Sequence, residues 1–261
     1  MTSLLRGRYQ VRFAENDDDI RLAQELRFRT FIEGRETASD EARADGLDAD
    51  EFDPICKHVL VHDTHTGALV CCFRFLPLAN GSEIARSYSA KYYDLSSLES
   101  YEGQMVEMGR FCIDPAHRDA DVIRIAWGAM TRYVDENNVD MLFGCSSFYG
   151  TEADAYMDAF ALLKERHLAP KRWLPRVKAP NVFRFASKLK LKKPNLKLAQ
   201  RGMPPLLRTY LVMGGWVSDH AVVDNDLNTL HVFTGLEIKH CLLYTSPSPR
   251  DQRGSRMPSS A

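Results

Sequence analysis

Tyr9 to Ala14 alternates Tyr, Val and Phe with polar residues, a period of two that predicts a first strand. The period then changes. Ile20, Leu22, Ala23, Leu26, Phe28 and Phe31 recur at helical spacing, with Asn16 or Asp17 as N-cap and Gly34 as stop. Residues 35–53 lose all periodicity, are acidic, Ala-rich and broken by glycine, and read as a long mobile loop. His58 to His62 and Leu69 to Leu76 flank Asp63-Thr64-His65-Thr66-Gly67 and predict a hairpin. A Ser- and Tyr-rich stretch follows, read as helical around Ser87 to Leu98. Val106 to Ile113 predicts a strand ended by Asp114-Pro115, Val122 to Asn137 an amphipathic helix, and Met141 to Cys145 a short buried strand. Thr151 to His167 reads as a helix capped by Thr151, with Glu152 and Asp154 in its first turn. Leu206 to Met213 and Leu230 to Phe233 read as strands around Gly214-Gly215-Trp216. This alternation of strands and helices predicts a mixed α/β fold, a central sheet flanked by helices on both faces.

Charge adds a partner to this picture. The net charge of -1 conceals an asymmetry, because Lys164 to Arg201 contains thirteen Lys or Arg and one acid, Glu165. An acidic body bearing a basic arm at 164–201 implies an anionic partner: an acidic carrier protein, an anionic membrane face or a nucleic acid. No nucleic-acid reader motif accompanies the arm, so nucleic acid is set aside. Trp173, Phe183, Phe185 and several leucines are interleaved with its cations, which suits docking on a carrier or a membrane surface.

No run of about 18 apolar residues exists to span a bilayer, and Met1 to Arg8 lacks the apolar core of a secretory signal. Cys56, Cys71, Cys72, Cys112 and Cys145 form no C-x-x-C pair, which points to reduced thiols in a cytoplasmic protein and to no metal site. Adjacent Cys71 and Cys72 should face opposite sides of a strand.

Cys241 to Asp251 reads as the translation of a sequencing adapter, and Ser255 to Ala261 as the far end of the same adapter. The expectation is one domain over residues 1–240, a non-native segment over 241–261, and a native C-terminus lost beyond about His240.

The candidate chemistry centres on Val106-Glu107-Met108-Gly109-Arg110-Phe111. A glutamate and an arginine three apart lie on opposite faces of a flat strand, but a β-bulge would bring both into one cleft. Arg74, mid-strand in Cys72-Phe73-Arg74-Phe75-Leu76-Pro77, is costly to bury unpaired, and so is Arg110. Asp50-Glu51-Phe52-Asp53 supplies carboxylates in the loop before them.

These segments, with Asp50-x-Phe52-Asp53-Pro54-x-Cys56-x-His58, Gly144-Cys145-Ser146-Ser147-Phe148 and Asp224-Asn225-Asp226-Leu227-Asn228-Thr229, closely resemble the ornithine N-acyltransferases of bacterial ornithine-lipid synthesis, members of the GNAT superfamily. The likeness runs from about Tyr9 to Ile238. It implies transfer of a 3-hydroxyacyl group from acyl carrier protein to the α-amino group of L-ornithine, giving lyso-ornithine lipid, with no bound cofactor. A more distant resemblance is to acyl-homoserine-lactone synthases, whose pattern maps onto Arg27 and Phe31, Asp50 and Asp53, Arg74, and Glu107, Arg110 and Phe111. Gly109 departs from that pattern where those enzymes carry serine, so lactone synthesis is the second enzymatic reading. A non-catalytic carrier or membrane tether is the third. A coenzyme A enzyme of this superfamily would show a glycine-rich pyrophosphate cradle after the central strand. Here Asp119-Ala120-Asp121-Val122 follows instead, and its carboxylates would repel pyrophosphate. A donor presented on a protein-borne phosphopantetheine arm needs that cradle less.

On this reading Glu107 takes a proton from the attacking amine. Arg74 or Arg110 holds ornithine's carboxylate, Asp50 and Asp53 hold its cationic side chain, and Arg27 belongs to the same substrate-binding group. An alternative acyl-enzyme on Cys112 or Cys145, with His58 as base, has no histidine placed beside either thiol. His58-Val59-Leu60-Val61-His62-Asp63 matches a His-x-x-x-x-Asp acyltransferase pattern, but within a strand its two ends face opposite ways, so it is read as accidental. The enzyme is expected in the cytoplasm, peripheral at the inner face of the membrane.

Overall fold

The computed structural model describes residues 4–33, 45–117 and 119–238. Most of the acidic loop and the whole of Cys241 to Ala261 lie outside the described residues. In chain order the elements are β1 (Leu4–Arg6), β2 (Tyr9–Phe13), α1 (Asp17–Phe31), β3 (Lys57–Asp63), β4 (Leu69–Leu78), β5 (Tyr93–Asp94), β6 (Met105–Ile113), α2 (Ala120–Glu136), β7 (Met141–Tyr149), α3 (Met157–Arg166), β8 (Arg176–Val177), β9 (Val182–Phe183), α4 (Phe185–Lys188), α5 (Leu196–Gly202), α6 (Pro205–Val212), β10 (Trp216–Val217), β11 (Ala221–Asp224) and β12 (Thr229–Glu237). The main sheet runs β1-β2-β3-β4-β6-β7-β12-β11-β9, with β10 beside β12, and β5 and β8 form a separate ribbon. Within the main sheet β6 and β7 pair parallel, and the other strand pairs are antiparallel.

Side-chain alternation sorts the core onto two faces. On one face Val59, Val61, Phe73, Phe75, Val106 and Met108 pack against Val122, Ile125, Ala129 and Tyr133 of α2, with Tyr210 of α6. Further along that face Phe148, Leu230 and Val232 meet Phe160 and Leu163 of α3, Phe185 of α4 and Ala199 of α5. The opposite face packs Leu60, Cys72 and Cys112 on Ala23 and Leu26 of α1. Beyond them Leu76, Met105, Phe143 and Phe233 lie under Ile84, Tyr93 and Leu98. Cys71 and Cys72 fall on different faces, as their adjacency in a strand requires.

The sequence pattern places β2, α1, the β3–β4 hairpin, β6 and α2 within a residue or two, and Asn16 caps α1 by accepting from the Asp19 amide at 2.9 Å. Four expectations are corrected. Leu206 to Met213 is helix α6, not a strand: Pro205 suits a first helical turn, and Leu207 and Tyr210 recur on one buried side. Ser87 to Leu98 is two short 3₁₀ turns around β5; the Ser87 hydroxyl donates to the Ile84 carbonyl at 2.7 Å, a local bond that competes with a continuous helix. The helix read from Thr151 begins only at Met157, after a 3₁₀ turn over Ala153–Tyr156. Met141 to Cys145 is the first half of a nine-residue strand. The basic arm is not a free appendage, since Phe185, Leu189 and Ala199 anchor it in the core and Trp173 and Phe183 are half-buried. The exposed part of the arm is cationic rather than aromatic, with Lys190, Lys193, Lys197 and Arg201 exposed.

Candidate active site

Parallel pairing of β6 with β7 runs from Met105↔Met141 to Glu107↔Phe143 and stops. Each strand continues on its other neighbour, β6 along β4 to Ile113 and β7 along β12 to Tyr149, so the two backbones part in a wedge. A cavity of about 430 Å³ fills the wedge and is lined from both faces of the sheet. Met108, Phe111, Ile123, Leu206 and Tyr210 make an apolar wall on the helical face; Glu107, Arg110, Tyr88, Cys145, Asp224 and His231 make a polar wall on the other. Gly144 sets how closely the strands approach at the apex, because a Cβ there would lie 2.3 Å from the Met108 carbonyl oxygen.

The anticipated bulge is present. Cys72 pairs with Cys112 and Arg74 with Gly109, so two residues of β6, Arg110 and Phe111, oppose one of β4. Arg110 adopts φ +53°, a left-handed conformation that costs a non-glycine residue energy and clusters at functional sites. The extra residue rotates Arg110 back to the face of Glu107 and Arg74. Its guanidinium lies 5.3 Å from the Tyr88 ring centroid.

Glu107 is 4% exposed and makes no ion pair among the described residues. Its Oε1 accepts from the Ser89 amide (2.7 Å) and hydroxyl (2.5 Å), and its Oε2 from the Tyr88 amide (2.8 Å). Burial pushes this carboxyl above the ordinary glutamate value, against the pull of those three donors. The salt bridge to Arg74 or Arg110 that would make Glu107 merely structural is not formed.

Arg27, Arg74 and Arg110 share Asp48, Asp50 and Asp53 in one buried network. Arg27 reaches Asp48 at 3.0 Å and both oxygens of Asp53 at 2.8 Å. Arg74 bonds Asp50 at 2.6 and 2.7 Å and Asp53 at 2.6 Å. Arg110 lies 3.2 Å from both Asp48 and Asp50, but its Nε lacks hydrogen-bond alignment. Burial alone would raise the Asp53 carboxyl; hydrogen-bonded Arg27, with Gln24 and Arg74, outweighs it and holds the group well below the usual aspartate value. Of the residues assigned to the site, the catalytic candidates Glu107 and Arg110 and the substrate-binding candidate Arg74 line the cavity, whereas the substrate-binding candidates Arg27, Asp50 and Asp53 do not and instead pair within the arginine–aspartate network. The sequence reading missed Asp48, which no periodicity marks, and the backbone donors of Tyr88 and Ser89, which no residue type marks.

Asp224 and His231 were also missed as site residues. Asp224 belongs to a stretch quoted for the resemblance, but was given no role. His58, by contrast, bonds the Asp53 carbonyl at 3.0 Å and stays away from the thiols. Cys112 meets Cys72 at 3.4 Å, and Cys145 meets the Ser89 hydroxyl at 3.4 Å, its thiol pushed far up by burial. Asp63 pairs with Arg8 rather than with His58, so the His-x-x-x-x-Asp match is accidental. Among the described residues no cluster of His, Cys, Asp or Glu could hold a metal ion. At the start of α2, Asp119 caps the helix by accepting from the Asp121 amide at 2.9 Å and also accepts from the Tyr9 hydroxyl at 2.7 Å. A carboxylate thus occupies the N-terminal end of α2.

Residues 26–128 match the acetyltransferase (GNAT) domain model. The chain is 32% identical over 250 residues to the L-ornithine N(alpha)-acyltransferase of Rhodobacter capsulatus, covering 91% of this chain and 95% of that protein. It is 31% identical over 241 residues to the enzyme of the same name from Brucella abortus, covering 89% and 85%. The chain is 29% identical over 108 residues to the acyl-homoserine-lactone synthase of Agrobacterium fabrum, covering 40% of this chain and 50% of that protein.

Proposed function

Because the chain belongs to the L-ornithine N(alpha)-acyltransferases, GNAT-type enzymes, we propose that its cavity transfers a 3-hydroxyacyl group from acyl carrier protein to the α-amine of L-ornithine, forming lyso-ornithine lipid. The observation that carries this reading is the two-sided wedge, with an apolar wall for an acyl thioester and a polar wall for a charged amino acid, meeting at Glu107. Glu107 accepts one proton from the α-ammonium of ornithine, directly or through water, and the freed amine attacks the thioester carbonyl. Backbone amides released where β6 and β7 part stabilise the oxyanion. As the C–N bond is completed and the C–S bond breaks, the amine's second proton passes to the departing phosphopantetheine thiolate. Arg110, which lines the cavity with its guanidinium beside Asp48 and Asp50, takes the ornithine carboxylate. Arg27, Asp48, Asp50 and Asp53 position Arg74 and Arg110.

The capped start of α2 favours a donor carried on a protein over coenzyme A. The basic arm supplies a docking face for an acidic carrier: exposed Lys197 and Arg201 in α5 lie just before Pro204 and Leu206, which line the apolar wall. The same cations suit peripheral contact with an anionic membrane, and no described helix is long and apolar enough to cross one.

The test is mass spectrometry of lipids from a host that lacks ornithine lipids and expresses this chain. A new lyso-ornithine lipid is expected. Acyl-homoserine lactone in the medium, with no new lipid, would overturn the proposal.

A further inference from the structure

Two carboxylates in the polar wall, Glu107 and Asp224, make no ion pair with any described Lys or Arg, whereas Arg74 is held at 2.6 Å by Asp50 and Asp53 and Arg110 lies at 3.2 Å from Asp48 and Asp50. The proposed role of Glu107 accounts for one. Asp224, at the end of β11, is 5% exposed. Its Oδ1 accepts from the Leu227 amide at 2.9 Å and fixes the turn into β12, but its Oδ2 has no partner. A buried, half-satisfied carboxylate in a cavity wall is costly unless something else completes it.

Two more unsatisfied acceptors stand beside it. Asp224 is the cross-strand partner of Thr229, and His231 is two residues further along β12, so all three project from the same face within reach of one small group. Thr229 Oγ1 and His231 Nε2 are both buried without partners and both residues line the cavity. The His231 tautomer follows from Tyr93. That hydroxyl donates to the His231 carbonyl at 2.8 Å, so its oxygen, 3.2 Å from Nδ1, must accept the Nδ1 proton and leave Nε2 a bare acceptor. Burial keeps the ring neutral, lowering its pKa to about 3.

We infer that Asp224, Thr229 and His231 form the subsite for the side-chain ammonium of the amino-acid acceptor. Burial pushes the Asp224 carboxyl above the ordinary aspartate value, and a bound ammonium would hold it ionised; a carboxylate and two neutral acceptors then match the three N–H donors and single charge of a primary ammonium. The subsite rests on the acyl-transfer reading and deepens it. Glu107, Arg110 and Asp224 are the complement of an amino acid with two ammonium groups and one carboxylate, which separates a diamino acid from its neutral analogues.

The test compares ornithine with norvaline, which has the same carbon chain without the terminal amine, in wild-type enzyme and Asp224→Asn, using acyl carrier protein loaded with a 3-hydroxyacyl group. Asparagine keeps an acceptor for the Leu227 amide. The variant should lose about 10- to 100-fold in kcat/KM for ornithine, the scale of a charged hydrogen bond, and the ornithine-to-norvaline ratio should collapse toward one. A parallel fall for both acceptors, or an unchanged ratio, would overturn the subsite. If the wild-type enzyme transfers to neither, the acyl-transfer reading fails, and calorimetric binding without donor decides the subsite separately. Ornithine binding that Asp224→Asn abolishes supports it, and equal binding by both proteins overturns it.

Discussion

Glu107 and Arg110, three residues apart on β6, line the same cavity because one extra residue between the Cys72↔Cys112 and Arg74↔Gly109 pairs turns the strand. The strained φ of +53° at Arg110 is the local cost of that placement, and the aspartates around its guanidinium hold it there. A flat strand would have sent the arginine into the apolar wall.

Replacing Arg110 separates its charge from its fork. Arg110→Lys keeps one positive charge but loses bidentate geometry, and should raise KM for ornithine by roughly 10-fold; Arg110→Ala should raise it by roughly 100-fold. Asp48 and Asp50 retain Arg27 and Arg74, so both variants should fold. Steady-state kinetics with ornithine varied at saturating donor is the check. A change in kcat with KM untouched would remove the carboxylate role.

If Glu107 is the base, its raised pKa sets the acid limb of kcat/KM. Activity should fall as pH drops through a value above the ordinary glutamate value of 4.5, because the proton-accepting carboxylate is then lost. Glu107→Gln should lower kcat by roughly 10²- to 10⁴-fold and abolish that limb. Retention of the limb in the variant would assign it to another group.

Gly144 tests the wedge itself. A Cβ there meets the Met108 backbone oxygen at 2.3 Å, and backbone cannot rotate away as a side-chain tip can. Gly144→Val should therefore force the strands apart at the apex, lower stability by about 1–3 kcal/mol, and reduce turnover more than ornithine binding. Chemical denaturation and single-turnover kinetics on the same sample distinguish the two effects.

The cationic arm makes a prediction about salt. If it docks an acidic carrier, KM for acyl carrier protein should rise steeply between 50 and 500 mM salt, values chosen to bracket a Debye length of about 10 Å at 0.1 M. KM for ornithine should barely move. Lys190→Glu with Lys193→Glu should reproduce the high-salt value at low salt. These side chains are exposed, so folding should be unaffected.

What the sequence made legible followed from strong local periodicity. The two-residue alternation of Tyr9 to Phe13 and the capped repeat from Asn16 to Phe31 each specify one element without help from the rest of the chain. Leu206 to Met213 did not, because a short apolar run fits strand or helix and only packing of Leu207 and Tyr210 decides it. In the site, Glu107 and Arg110 were readable as charged residues stranded among apolar ones. The partners of Glu107 were not, since two of its three donors are main-chain amides. Asp224 stood in the sequence only as part of a stretch shared with the family; its Oδ1 fixes a turn, and the unsatisfied Oδ2 appears only once β11, β12 and the wedge are assembled.

Asp53 gives the clearest link between the network and stability. Its two oxygens serve Arg27, Arg74 and Gln24, and it is 4% exposed, so solvent screens these bonds little. Asp53→Asn leaves Arg27 with Asp48 and Arg74 with Asp50, but removes the shared charge between them; a loss of about 3 kcal/mol is expected for breaking a buried pair. The sign of the pH dependence follows from the depressed carboxyl. The folded state binds its proton less readily than the unfolded chain, so the stabilisation is full above the ordinary value of 3.8 and is lost as pH falls toward the lower folded value. Urea denaturation of both proteins at pH 7 and at successively lower pH should show the difference shrinking only below about pH 4. A difference that persists unchanged into acid would mean that Asp53 acts through shape and neutral hydrogen bonds, not through its charge.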